Sequence, residues 1–223
     1  MKKKMLSVLC ALLCLMMAAN TCAITLAEAP APARAVRTIL LYDCGSDLES
    51  SYALATWNLY QIMGSEIPEE VNVVVMTGGA TQWRTEPEYL EGAEAVSPNR
   101  ENQIWVCSGC NAANAENGHG KMTLLIDMPA DIEQTLMSDP QTLLGFINYA
   151  AERYPAEMFD LILWDHGGGP IGGYGNDDRV WEYNIMSVAA IARTLKQSDV
   201  GHFDIVNFDA CLMGSVEVVA ALA

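Results

Sequence analysis

Four short runs of large apolar and β-branched residues recur along the chain: Val36–Tyr42 (V-R-T-I-L-L-Y), Val71–Met76 (V-N-V-V-V-M), Phe159–Trp164 (F-D-L-I-L-W) and Phe203–Phe208 (F-D-I-V-N-F). Segments with helical periodicity stand between them. One follows D-C-G-S-D-L-E and runs to about Met63, with Ser46 or Asp47 placed to cap it. A second spans Pro140–Tyr154, with Leu143, Leu144, Ile147 and Ala150-Ala151 on one face, and a third spans Met186–Gln197. A fourth opens near Leu212–Gly214. Short apolar strands joined by helices belong to a largely parallel sheet covered on both faces. The stretch Thr81–Met128 is polar and irregular and reads as an insertion or hairpin, with short strands at Gln103–Cys107 and Met122–Ile126.

The first residues are of another kind. Met1-Lys2-Lys3-Lys4 precedes the apolar run Met5–Ala19, the pattern of a secretory signal with a core too short for a comfortable membrane span. Small residues allow cleavage after Ala23, Ala27 or Ala29, and a Pro- and Ala-rich leader follows. A retained anchor and a lipid-modified Cys22 are the competing readings. Residues 1–29 are thus expected to be signal peptide and leader, and the mature protein to be secreted or held at the surface of a bacterial cell without a stable membrane span. Loss of Met1–Ala29 removes three lysines and Glu28 and takes the net charge from −16 to −18. So acidic a surface repels nucleic acid and anionic membranes and attracts cationic substrates.

In open α/β sheets ligands gather at the carboxyl ends of the strands. Two strands here end in reactive residues: the third in W-D-H-G-G-G (Trp164–Gly169) and the fourth in D-A-C-L-M (Asp209–Met213). On one rim, adjacent strands about 5 Å apart would bring the His166 imidazole within reach of the Cys211 thiol. A cysteine beside a histidine and just ahead of a helix start is poised to act as a nucleophile. His166 would activate Cys211 and protonate the leaving amine, while the N–H groups of Gly167 and Cys211 could stabilise an oxyanion. Either motif alone also reads as ordinary structure, a buried small side chain or a tight turn. His119, in a Gly/Asn-rich loop, and His202, ahead of its strand, are expected to be solvated.

These residues resemble the clostripain family of cysteine peptidases, which share the caspase-like fold. The motifs L-Y-D-C-G-S-D-L-E, L-I-L-W-D-H-G-G-G and N-F-D-A-C-L-M-G-S-V-E stand in the family's order, and the resemblance covers residues 36–223. It implies a caspase-like three-layer sandwich with a mostly parallel sheet, and a His166–Cys211 dyad without an obligatory third member. It also implies cleavage after Arg or Lys, with Asp209 in the primary specificity pocket. There a carboxylate would pair with the substrate's cationic side chain; a hydrogen bond to a loop is the alternative role for Asp209. The resemblance further implies self-cleavage between histidine and cysteine, for which Arg179 in the turn-rich G-G-Y-G-N-D-D-R-V-W is the candidate. No cofactor is required; calcium serves part of the family, and the pair Asp177-Asp178 is the one local suggestion of a ligand.

Two departures from the family pattern stand out. The chain stops twelve residues after Cys211, where the family continues with further strands, so the C-terminal part of the domain is expected to be missing. Cys44, Cys107 and Cys110 lie outside the motifs; C-S-G-C could be a local disulfide, half a zinc site, a redox pair or none of these. The rival functions are a secreted binding module that kept the fold and lost activity, and a thiol-redox or metal-binding protein built on Cys107 and Cys110. The second leaves the His166 strand end unexplained.

Overall fold

The computed structural model of the chain describes residues 34–97, 100–111, 118–127, 136–182 and 184–223. The expected signal peptide and leader, residues 1–29, lie outside them.

Side-chain alternation in the central strands builds the molecule. Strand β1 (Ala35–Cys44) sends Leu40, Tyr42 and Cys44 to one face of the sheet and Leu41 to the other. Strands β2 (Val71–Gly78) and β6 (Ala156–Trp164) repeat the pattern, with Val74, Met76, Leu161 and Leu163 on the first face and Val73, Val75 and Trp164 on the second. This period of two, apolar on both sides, requires a layer of cover on each face. Helices α3 (Pro140–Arg153) and α5 (Val188–Gln197) cover the first face through Leu143, Phe146, Ile147 and Ile191, all fully buried. Helices α1 (Ser46–Tyr52) and α2 (Leu54–Met63) lie over the second, where Ala55, Leu59 and Met63 are buried. The expected α/β sandwich is therefore present.

The sheet has seven strands in the order β3-β5-β4-β2-β1-β6-β7, with β3 at Leu90–Glu91, β4 at Gln103–Cys107, β5 at Met122–Asp127 and β7 at Ile205–Asp209. The pairs β1–β2, β1–β6 and β6–β7 are parallel, while β4 runs antiparallel to both β2 and β5. The irregular stretch after Thr81 thus carries a hairpin that extends the main sheet beyond β2. Its anchor is Trp105, wholly buried, whose indole N–H donates to Thr77 Oγ1 at 3.0 Å.

Three local expectations are corrected. The helix expected to run unbroken to Met63 is broken at Ala53, which sits in the left-handed region at φ 58°, so α1 and α2 are separate. The cap position falls on Gly45, one residue earlier than expected, while the Ser46 hydroxyl accepts from Leu48 N–H at 3.4 Å within the first turn. The last helix, α6 (Val216–Leu222), starts later than expected and is capped by Ser215, whose hydroxyl accepts from Val218 N–H. Residues 211–215 are instead a turn, with Leu212 at φ 63°. Cys211 therefore stands five residues before the first helical residue, too far for the end of a helix dipole, whose influence fades within one turn.

Candidate active site

Register decides what meets at the rim. Asp43 of β1 pairs with Trp164 of β6, and Trp164 pairs with Asp209 of β7. The segments that follow these three residues, Cys44–Asp47, Asp165–Gly167 and Ala210–Leu212, thus leave the same edge of the sheet side by side.

Gly167 packs tightly against the backbone of Cys211. A β-carbon on Gly167 would lie 2.1 Å from the Cys211 carbonyl oxygen and 2.8 Å from Met213 Cγ, so only glycine lets the two loops nest. The Gly167 loop is tied back on itself, because Gly175 N–H donates to His166 O at 3.0 Å and Gly168 N–H donates to Gly173 O at 2.8 Å. The N–H of Gly167 enters neither bond. A short helix, α4 (Gly169–Gly172), continues the loop.

His166 meets a different partner from the one expected. Its Nε2 lies 2.8 Å from Asp47 Oδ1, both side chains being about half exposed. No hydrogen bond joins His166 and Cys211 among the described residues. The sequence assigned Asp47 only a capping role; the signal that could have found it is the pairing of β1 beside β6, which puts the two loops next to one another.

Behind His166 lies a buried polar layer. The Asp165 carboxylate accepts from Ser46 Oγ and from Asn176 N–H, each at 2.6 Å. Burial raises the pKa of Asp165 above the ordinary carboxylate range, while these hydrogen bonds pull it back. Asp43 is buried beneath the same rim. Its carboxyl is pushed well up by burial and, after that, by the nearby charges of Glu49, Asp165 and Asp209.

The four described cysteines differ sharply. Cys44 and Cys107 are buried, Cys110 is partly exposed and Cys211 is exposed, and none is bridged to another. Burial pushes the Cys107 thiol up to about 12, and burial with the charges of Asp165 and Asp177 raises Cys44 well above its usual value. Both are held as inert thiols. His202 is exposed, as expected, but His119 is not simply solvated: its ring lies against Tyr89 with centroids 4.1 Å apart.

Asp209 is exposed at the end of β7. It borders a groove of about 400 Å³ walled mainly by Ile39, Leu41, Ile62, Ile67, Ile162 and Trp164. The Arg179 side chain is almost wholly buried, with its guanidinium on both oxygens of Asp177 and its Nη1 donating to Arg100 O at 2.7 Å. Asp177 also accepts from Met137 N–H at 2.8 Å. A carboxylate so engaged does not fit a calcium ligand, and no group of three or more acidic, His or Cys side chains that could hold a metal occurs among the described residues. Among those residues no helix is long and apolar enough to cross a membrane.

Comparison with known proteins decides the lineage. The model of the C11 peptidases, the clostripain family, matches residues 41–223. The chain belongs to the clostripain family. Clostripain of Hathewaya histolytica is 32% identical over an alignment of 94 residues that covers 37% of this chain and 18% of that protein. A secreted C11 cysteine protease of Bacteroides thetaiotaomicron, solved with an irreversible peptide inhibitor, superposes with a TM-score of 0.60 at 21% identity, covering 84% of this chain and 46% of that one. An inactive zymogen C11 protease of Parabacteroides distasonis gives 0.59 at 22%, covering 86% and 46%. The sandwich is thus the caspase-like fold of the C11 peptidases, and the chain spans less than half the length of these relatives.

Proposed function

We propose that this member of the clostripain family is part of a secreted bacterial cysteine endopeptidase that hydrolyses proteins or peptides after Arg or Lys. The observation that supports this most is the nesting of Gly167 on Cys211, which puts the histidine and cysteine motifs on one rim. In this reading the Cys211 thiolate attacks the scissile carbonyl and His166 takes the thiol proton, then delivers it to the leaving amine. The oxyanion is held by the N–H groups of Gly167 and Cys211. The gap between His166 and Cys211 closes when substrate is bound, since catalytic hydrogen bonds are often long in the free enzyme.

Asp209 recognises the substrate cation. Its groove has apolar walls suited to the methylene stem of Arg or Lys, with a carboxylate at the margin for the charged head. Self-activation follows a cut after Arg179. Val180 and the fully exposed Trp181 present the backbone on the far side of that bond, but the Arg179 side chain must first leave Asp177. The reaction calls for no cofactor, and calcium, if used, binds elsewhere than at Asp177.

The test uses the full-length gene product under reducing conditions beside its Cys211→Ala variant, assayed on fluorogenic peptides ending in Arg, Lys, Asp or Leu. Activity on the Arg or Lys peptides that disappears in the variant is expected. No cleavage of any peptide by a folded wild-type protein, with and without calcium, would favour the inactive binding module.

A further inference from the structure

Two consecutive residues at the start of α1 grip two consecutive residues of the loop after β6 at the rim. Ser46 Oγ donates to Asp165 Oδ1 at 2.6 Å, and Asp47 Oδ1 lies 2.8 Å from His166 Nε2. The first contact is buried, with Ser46 fully covered and Asp165 3% exposed. Ser46 holds it at φ 46°, in the left-handed region that residues with a β-carbon avoid. Backbone kept in such a conformation by its surroundings is characteristic of functional sites.

The base that carries Asp47 is rigid. Glu49, fully buried, accepts from Thr56 N–H at 2.8 Å, Thr56 Oγ1 at 2.7 Å and Arg84 N–H at 2.8 Å, which ties α1 to α2 and to the loop after β2. Gly45 N–H donates to Gly78 O at 2.9 Å. The Asp47 carboxylate therefore projects from the fixed first turn of α1 into a cleft of about 570 Å³ that it shares with His166 and Gly167.

An ionised carboxylate can only accept a hydrogen bond, so the nitrogen facing it must carry the proton. From this geometry we infer that Asp47 is a positioning residue for His166: it keeps the proton on Nε2 and leaves Nδ1 as the nitrogen that exchanges a proton with Cys211. The inference rests on the His166–Cys211 reading above. The Cys211 sulfur loses its proton to Nδ1 and bonds the scissile carbon. When the C–N bond breaks, Nδ1 returns that proton to the leaving amine nitrogen, and the other proton stays on Nε2, donated in a hydrogen bond to Asp47, throughout. Asp47 thus pairs with the imidazolium for as long as it exists.

The experiment measures kcat and KM of the full-length gene product, wild type and Asp47→Ala, on an Arg or Lys peptide. Asp47→Asn, matched in shape, guards against a folding defect, and both variants are checked by thermal melting. A fall in kcat on the order of 10- to 100-fold, with KM changed less than about threefold, is expected; it lies at the low end of general acid–base effects because the pair is half exposed. Wild-type kcat in both variants overturns the inference and leaves the dyad standing. A raised KM with unchanged kcat also overturns it and makes Asp47 a substrate-facing carboxylate. A folded wild type with no activity removes the dyad reading and this inference together.

Discussion

The α-carbon of Gly167 rests against the carbonyl oxygen of Cys211, at a distance where a β-carbon would stand 2.1 Å from that oxygen. Gly167→Ala must therefore push the histidine and cysteine loops apart. The expected cost is about 1–3 kcal/mol of stability from overpacking. A loss of kcat/KM on the order of 100-fold is expected from misplacement of the reacting groups. Thermal melts and steady-state kinetics of the variant check both, and a fully active Gly167→Ala enzyme would show that the nesting is dispensable.

Asp209 faces a groove whose walls are mainly apolar. Asp209→Asn keeps the shape and removes the charge, so kcat/KM on Arg and Lys peptides should fall about 10- to 100-fold, the size of one charged hydrogen bond. The rate of Cys211 alkylation by a neutral reagent should stay as it is. Equal kinetics on basic peptides would move the specificity pocket away from Asp209.

Arg179 has two predicted roles that one substitution separates. Arg179→Ala strands the buried Asp177 carboxylate, which should cost about 3–5 kcal/mol by denaturant unfolding. It should also leave the chain uncut between His166 and Cys211, read by intact mass. Fragments identical to those of the wild type would exclude Arg179 as the processing site whatever the stability.

Asp43 is 2% exposed, and its Oδ1 has no partner among the described residues. Its pKa is raised in the folded protein, so the native state binds that proton more tightly than the unfolded chain. The stabilisation is present below the ordinary carboxylate range near 4 and is lost as pH rises towards the folded value. Asp43→Asn removes this dependence. The stability of the variant relative to wild type, measured by urea unfolding from pH 4 to 8, should therefore rise with pH. A difference that is flat with pH would mean Asp43 is ionised in the native state throughout.

Selective labelling follows from burial. Iodoacetamide should modify Cys211 fastest, Cys110 more slowly, and Cys44 and Cys107 only on unfolding, because the last two are covered and their thiols raised. Peptide mapping of the labelled protein reads the order directly.

Much of this was visible along the chain because it depends on neighbours in sequence. The alternation in Val36–Tyr42, Val71–Met76 and Phe159–Trp164 required a sheet buried on both faces, and the motifs at His166 and Cys211 pointed to one rim. Asp139 and Pro140 start α3, with the Asp139 side chain accepting from Gln141 N–H, so the start of that helix was also legible locally.

What the local signal could not carry was decided by packing. The break at Ala53 lies between two halves of an otherwise helical pattern, and α1 and α2 on either side of it are joined by the buried Glu49 carboxylate reaching Thr56. The pairing of His166 with Asp47 joins residues 119 apart and exists only because β1 and β6 are neighbours in the sheet. The burial of Arg179 depends on a carboxylate two residues away and a carbonyl 79 residues away, so the turn-rich stretch around it holds its charge inside. The sequence by itself determined the layers, the strands and the chemistry available at their ends, since periodicity and residue type act over a few residues. Which side chains touch was left to the tertiary structure, because register between distant strands is set by the fit of the whole core.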